Sequence, residues 1–317
     1  RAPADKFLFF QALDADGMMV QSMRSGTTVR PGETIGCAGC HEDRLSTPRP
    51  ASGSAPMALG RPPRELKPWY GPAREFNYLS EVQPVFDKHC VSCHDYGKEA
   101  GDDLNLAGDL GLLFNTSYLE IRRKSSLRWF PEPAGAGKRL VKVVDDGPPE
   151  VLPPYAWGSH RSKLVDVVRS EHYDVQLDRE SIDRIVTWID VNAPYYGTYA
   201  SAYRDNQFGR SPLDPAQLAR LRELTGAALD SGRMGAELTG SPVSFTRPEW
   251  SPCLAKLKDK NHPGYKEALA IIRAGKEMLA RRPRADMPGF RPCEKDLQRE
   301  AKYARREEIE HRNREAI

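Results

Sequence analysis

The sequence predicts a mainly α-helical protein with long irregular connectors, a short β-hairpin at the N-terminus and a helical extension at the C-terminus. Several segments of the second half carry apolar residues at helical spacing. The 26 prolines and 25 glycines make up about a sixth of the 317 residues, which favours loops and turns over long regular elements. Alternating patterns on either side of Asp16 and Gly17 indicate a hairpin within residues 1–30.

The composition excludes two classes of partner. Hydrophobic residues make up 39% of the chain, which is enough for a buried core. The 47 basic and 44 acidic residues nearly balance at a net charge of +3, so no nucleic-acid-binding surface is expected. No apolar run approaches the roughly 20 residues needed to span a bilayer, so no membrane span is expected either.

Local signals place the helices of the middle region. The segment SHRSKLVDVVRSEH is predicted to form one helix that begins at Ser159. Asp178 is predicted to cap the next helix, which ends at Pro194 and Gly197. The buried faces of these two helices are predicted to carry Leu164, Val167 and Val168, and Ile182, Ile185, Val186 and Ile189, respectively.

The chain after residue 200 is predicted to be a helical extension. Two amphipathic segments, DPAQLARLRELTGAALDSG and HPGYKEALAIIRAGKEMLARRP, end in glycine or proline, and residues 295–317 form a highly charged helical tail. We therefore divide the chain into three parts. Residues 1–75 contain the hairpin and a proline-rich connector, residues 76–200 contain the helices of the middle region, and residues 201–317 form the helical extension.

Two CxxCH motifs carry the chemistry of the sequence. In this pattern two cysteines add across neighbouring vinyl groups of a porphyrin, and the next histidine is delivered onto the iron. The motifs predict two covalently bound haem c groups and cytochrome c-like haem domains. Haem c is attached outside the cytoplasm, so the protein is expected to be periplasmic or otherwise exported, with any export signal removed or outside this sequence. The motif residues are Cys37, Cys40 and His41, and Cys90, Cys93 and His94.

Two other interpretations of the cysteine pairs explain less. Zinc ribbons usually separate their pairs by about 15 to 20 residues, whereas 49 residues lie between Cys40 and Cys90. A zinc site also has no need of a histidine directly after both pairs, and a disulfide within each pair would leave both histidines unexplained.

The remaining histidines supply candidates for the second axial ligands. His160 and His172 are predicted to lie about 18 Å apart on one helix, so they would serve different haems. His172 is favoured because it lies at a helix end, whereas His160 is either a ligand or packs on an aromatic cluster. That cluster comprises Trp129, Phe130, Tyr155 and Trp157. We expect His89 to be structural. His262 is expected to lie at the start of a helix, and His311 is expected to lie on the surface.

Three weaker hypotheses concern other side chains. Methionine is an alternative axial ligand, although these methionines could equally be core residues; the candidates are Met18, Met19, Met23 and Met287. Cys253 and Cys293 are expected to form a disulfide in an oxidising compartment, the alternative being two free buried thiols. Asp102 and Asp103 either bind calcium or are simply solvated.

Four strings of the sequence together resemble one family: MRSGTTVRPGETIGCAGCHEDR, FNYLSEVQPVFDKHCVSCHDYG, WGSHRSKLVDVVRSEHYDVQLDRESIDRIVTWIDVNAPYYGTY and RRPRADMPGF. They are similar to the C-terminal di-haem region of proteins related to the hydrazine synthase α-subunit, multidomain cytochromes of the planctomycete type. The resemblance implies a preceding β-propeller, which the hairpin would follow or close. It also implies that His94 and His172 hold the second haem.

This sequence differs from the family at the first haem. There the catalytic iron takes a tyrosine four residues after the motif histidine, and that histidine turns to a zinc ion. This sequence has Leu45 at that position. We therefore expect His41 to bind its own iron.

Two functions follow from these expectations. In the first, the two haems transfer electrons to or from a redox partner protein. In the second, the first haem binds a small nitrogen or oxygen substrate, as in a hydrazine synthase-like enzyme, while the second relays electrons. We favour electron transfer because no catalytic acid or base can be placed beside the first haem. A third possibility is a structural or sensing module that docks a neighbouring subunit through its charged tail.

Overall fold

The computed structural model describes residues 1–35, 60–125, 139–144, 152–170, 172–229 and 240–315. The first CxxCH motif, with Cys37, Cys40 and His41, lies outside the described residues, as do Trp129 and Phe130.

The chain forms two compact units. The first comprises Arg1–Arg74 and Pro148–Pro154, and the second comprises Glu75–Gly147 and Tyr155–Ile317. Residues on both sides of position 200 therefore belong to one unit. The second CxxCH motif and the helical extension share this unit.

The first unit contains the N-terminal hairpin. Strands β1 (Gln11–Leu13) and β2 (Met19–Ser22) pair antiparallel. Their connection is tight because the Asp14 carboxylate accepts the backbone N–H groups of Asp16 and Met18, both at 2.9 Å. Gly17 supplies the positive φ of 79° that the turn requires. The predicted hairpin is confirmed.

The second unit is mainly helical. Its helices are α1 (Tyr78–Glu81), α2 (Gln83–His89), α3 (Glu99–Asp103), α4 (Thr116–Ser125), α5 (Lys163–Arg169), α6 (Arg179–Asp190), α7 (Pro215–Thr225), α8 (Pro263–Arg281) and α9 (Glu294–Glu315). Short 3₁₀ turns occur at Ser159–Arg161, Gln207–Gly209, Pro248–Trp250 and Pro252–Lys256. None of the described helices is both long enough and apolar enough to cross a membrane.

Helix α6 begins and packs as its sequence predicts. The Asp178 side chain accepts the backbone N–H of Ser181 at 2.8 Å, which satisfies a donor of the first turn. Ile185 and Ile189 are fully buried. The helix ends before residue 192, where the backbone turns to positive φ.

The segment before α6 corrects the prediction of one continuous helix from Ser159. Ser162 is extended, with φ of −106° and ψ of 120°, and separates a 3₁₀ turn from α5. The N–H groups of Lys163 and Leu164 donate to the carbonyls of Arg139 and Leu140 at 2.8 and 2.9 Å, so a distant segment satisfies donors that a helix would use internally. The 18 Å separation predicted for His160 and His172 therefore does not apply.

A cluster of aromatic rings forms the core of the second unit. Neighbouring ring centroids in this cluster lie between 4.9 and 6.2 Å apart. Its members are Tyr78, Phe114, Tyr118, Trp188 and Tyr195, all buried.

A fully buried ion pair joins the C-terminal residues to this core. Arg284 donates to both carboxylate oxygens of Asp286 at 2.9 and 2.7 Å. It also donates to the carbonyls of Gly111 and Leu112 at 2.8 and 3.1 Å. The Tyr195 hydroxyl donates to Asp286 at 2.8 Å. The extension is thus an integral part of the unit.

The described helices of the extension begin and end at recognisable signals. Asp214 and Gln217 form a capping box on α7, which ends at Gly226 with φ of 62°. His262 caps α8 by accepting the N–H of Gly264 at 3.1 Å, which confirms its predicted place at a helix start. Helix α9 is largely exposed, as expected for a charged tail.

Candidate functional site

Helix α2 delivers the second CxxCH motif. Val85 and Phe86 are buried and fix the helix against the core. The N–H of Cys90 donates to Phe86, and the N–H groups of Cys93 and His94 donate to the Cys90 carbonyl at 3.1 and 2.9 Å. The motif is therefore wound as one further turn that leads out of the helix.

The two cysteines of this motif are free thiols in different environments. Cys93 is exposed, whereas Cys90 is partly buried. Burial, followed by the charge of Cys93, raises the pKa of the Cys90 thiol to about 11. Cys90 therefore stays protonated at neutral pH and is a weak nucleophile.

The imidazole of His94 is held in one tautomer. Its Nδ1 lies 2.9 Å from the Leu104 carbonyl oxygen, which can only accept a hydrogen bond, so Nδ1 carries the proton. The lone pair then resides on Nε2. The His94 carbonyl accepts the N–H of Leu106 at 2.9 Å. This pattern is typical of a metal-binding histidine oriented by a backbone carbonyl.

His172 lies just beyond the end of α5, on a tight turn. Its carbonyl accepts the N–H of Val175 at 3.1 Å. The two central residues, Tyr173 and Asp174, have φ of 49° and 61°, a left-handed conformation that costs free energy for residues other than glycine. The Tyr173 ring contacts the His172 ring edge-on at 4.8 Å.

The structure places the rings of His94 and His172 close together and nearly parallel. Their centroids lie 6.3 Å apart and their planes differ by 25°. A metal–imidazole nitrogen bond is about 2 Å long, and the ring centre lies about 1 Å behind the nitrogen, so two imidazoles on one metal atom have centres about 6 Å apart. The pair therefore has the spacing needed to coordinate one metal atom from opposite sides.

An ion pair ties the His172 loop to the motif helix. Lys88, in the last turn of α2, donates to Asp178 at 3.1 Å. Asp178 also caps α6, which begins where the His172 loop ends. The N–H of Ser181 first, and Lys88 second, hold the pKa of the Asp178 carboxyl well below its usual range. The carboxylate therefore stays charged under all ordinary conditions.

A second ionic network lies directly after the motif. Arg247 donates to Asp95, the residue that follows His94, at 2.8 and 2.5 Å. It also donates to Asp109 at 2.9 and 2.6 Å. Hydrogen bonds to these two carboxylates raise the pKa of Arg247, and Arg247 lowers that of Asp95. Sequence analysis missed this network, since 152 residues separate Asp95 from Arg247 and no linear pattern links them.

The structure also describes the surroundings of the other candidate ligands. The His160 ring packs edge-on against Tyr155 at 4.9 Å. Met18 and Met19 are buried in the hairpin unit, the core alternative given for the methionines. Met287 follows Asp286, and its N–H donates to the Arg284 carbonyl at 2.8 Å.

The calcium hypothesis gains no support. Asp103 forms an ion pair with Lys124 at 2.5 Å. Within the described ranges, no cluster of three or more histidine, cysteine, aspartate or glutamate side chains could hold a metal ion.

The predicted disulfide between Cys253 and Cys293 is not formed. Both residues are free thiols. Each is anchored to a different segment, because the N–H of Cys253 donates to Pro242 and that of Cys293 donates to Ser201, at 2.9 and 2.7 Å. The Cys293 thiol instead faces Asp296, with sulfur and oxygen 3.6 Å apart.

Comparison with known proteins gives one partial match. Residues 1–42 match the family described as the hydrazine synthase alpha subunit middle domain. The match covers the hairpin and the first CxxCH motif but not the second motif or the helical unit. No curated protein and no solved structure matches the chain.

Proposed function

We propose that the chain is a c-type cytochrome that transfers electrons outside the cytoplasm. In this proposal Cys90 and Cys93 bind a haem through thioether bonds, and His94 and His172 are its axial ligands. The distance of 6.3 Å between the centroids of these two nearly parallel imidazole rings is the observation that supports the proposal. It joins a motif residue to a histidine 78 positions later, which a merely structural histidine pair would not require.

The surrounding residues suit a closed electron-transfer site. A haem with two histidine ligands supplies one-electron chemistry at its iron. The Leu104 carbonyl fixes the proton of His94 on Nδ1, so Nε2 points its lone pair away from that bond. The Lys88–Asp178 pair holds the His172 loop beside the motif helix. If His94 and His172 both held the haem iron, the site would exchange electrons and leave no position for substrate.

The first motif is proposed to bind a second haem through Cys37, Cys40 and His41. The partial family match includes this motif, which is the observation that favours the alternative function. In that alternative, the first haem binds a small nitrogen or oxygen substrate, as in a hydrazine synthase-like enzyme, and the second haem relays electrons. A redox partner protein is part of both proposals.

Carbon monoxide binding distinguishes the two functions. The absorption spectrum of the dithionite-reduced protein is recorded before and after adding carbon monoxide. The amount of haem per chain is measured from its pyridine complex. We expect two haems per chain and no shift of the Soret band, since both irons would have two protein ligands. A shift of about half the Soret intensity would favour the enzyme alternative. A chain purified from a haem c-attaching host without covalent haem would contradict the whole proposal.

A further inference from the structure

Arg247 joins two carboxylates on either side of the second motif's loop. Asp95 follows His94 directly, and Asp109 lies at the other end of the loop that also contains Leu104, the hydrogen-bond partner of His94. The guanidinium donates two hydrogen bonds to Asp95 and three to Asp109, all between 2.5 and 3.2 Å. Arg247 therefore joins the two ends of the segment whose Leu104 carbonyl orients His94.

The segment that carries Arg247 is itself firmly held. The Ser244 hydroxyl donates to Asp109 at 2.6 Å and accepts the N–H of Arg247 at 2.9 Å. The N–H of Phe245 donates to the Leu110 carbonyl at 2.7 Å. Asp109 and Ser244 are buried, so water competes poorly for these bonds.

Aromatic contacts extend this attachment to the residues just past the motif. Arg247 lies over the Tyr96 ring at 5.0 Å, and Tyr96 contacts Trp250 with centroids 5.9 Å apart. Trp250 packs so closely on Gly97 that a Cβ added there would lie 3.0 Å from the indole. The C-terminal extension therefore covers the motif's exit from Asp95 to Gly97.

We propose that Arg247 is a positioning residue of the second haem site. It holds the segment from Asp95 to Asp109 in place and would set the local charge near a haem bound to the motif. This inference rests on the proposed function. It assigns the C-terminal extension a direct role in a cofactor site that the sequence places wholly within residues 76–200.

The charge of this network has a predictable effect on the haem. One guanidinium and two carboxylates leave one net negative charge next to the ligand histidine. Net charge near a haem or cluster changes its reduction potential, because the oxidised iron carries one more positive charge than the reduced iron. Removing the cation should therefore favour the oxidised state, and removing a carboxylate should favour the reduced state.

Three variants test the proposal in the haem-loaded full chain. Arg247→Gln should lower the reduction potential of the second haem, and Asp109→Asn should raise it. Arg273→Gln is the matched control, because Arg273 pairs with Glu249 at 2.6 Å on the surface and makes none of the contacts to Asp95 or Asp109 described above. It should leave the potential unchanged. Potentials are measured by spectroelectrochemical titration of the second haem's absorption band.

Opposite shifts separate an electrostatic and positioning role from simple damage, which would move both variants in the same direction. Shifts of the same sign, or none beyond the Arg273→Gln control, would overturn the proposal. If Arg247→Gln does not fold, Asp109→Asn decides the sign, and Arg247→Lys should retain more of the native potential than any neutral replacement. Absence of haem at Cys90 and Cys93 in the unmodified protein would instead refute the proposed function.

Discussion

At the scale of single residues, the two proposed axial ligands are held very differently. His94 is fixed by its hydrogen bond to Leu104 and by the helical turn of its motif. His172 lies on a turn whose two central residues have positive φ, and its ring contacts the Tyr173 ring edge-on. The motif that would attach the haem therefore includes His94 but not His172.

This asymmetry predicts the effect of removing His172. His172→Ala should leave haem attachment intact, because Cys90, Cys93 and His94 are unchanged, but it should open one axial position. Carbon monoxide should then bind about one haem per chain in the reduced protein, where the unmodified protein binds none.

His311→Ala is the control for this experiment. His311 is an exposed residue of helix α9, and its replacement should leave the carbon monoxide spectrum unchanged. An unaltered spectrum for His172→Ala would show that another residue holds the second axial position.

The two cysteines of the motif should differ in reactivity when haem is absent. A thiol with a pKa of about 11, as burial gives Cys90, is deprotonated at pH 8 on the order of 100-fold less than an ordinary thiol with a pKa near 8.5. In haem-free protein made in the cytoplasm, iodoacetamide should therefore label exposed Cys93 well before Cys90.

The ratio of the two labelling rates is read by mass spectrometry of the modified peptides. Raising the pH from 8 to 10 should accelerate Cys90 labelling about 100-fold, since its thiolate fraction rises tenfold per pH unit below its pKa. Equal rates at pH 8 would contradict the burial of Cys90 in the folded chain.

At the scale of secondary structure, sequence reasoning succeeded where the determining signal is local. The Asp16–Gly17 turn and the Asp178 and His262 caps depend on residues within four positions of each other. It failed where a distant segment decides the conformation. The sequence from Ser159 to Ser162 looks like the first turn of α5, yet Ser162 is extended and α5 begins at Lys163, where the N–H groups of Lys163 and Leu164 donate to the carbonyls of residues 139 and 140.

The candidate site also combines features that nearby residues determine with features that distant segments determine. The motif itself identifies Cys90, Cys93 and His94 as candidates, and the sequence places His172 near the end of a helix, which in the structure is Arg169. The turn that presents it was not foreseen, because Tyr173 and Asp174 are not a typical pair for two positive φ values. The Arg247 network could not be predicted for a different reason, since Asp95 and Arg247 lie 152 residues apart in the sequence.

At the scale of the whole molecule, the helical unit is expected to unfold as one. The Arg284–Asp286 pair lies at 0% side-chain exposure between the C-terminal residues and the loop at Gly111 and Leu112. Arg284→Leu would leave the Asp286 carboxylate buried without its cation. Removing one partner of a buried ion pair typically costs about 3 to 5 kcal/mol.

The loss of stability in Arg284→Leu should affect residues on both sides of the predicted domain boundary at residue 200. In hydrogen exchange measured by mass spectrometry, Arg284→Leu should reduce protection equally in peptides from α6 and α8, because both helices belong to one compact unit. The control variant Arg273→Gln, at an exposed residue, should change the free energy of protection in each of these helices by less than about 1 kcal/mol. Loss of protection confined to α8 would mean that the extension unfolds on its own, and that the second cysteine motif keeps its structure without it.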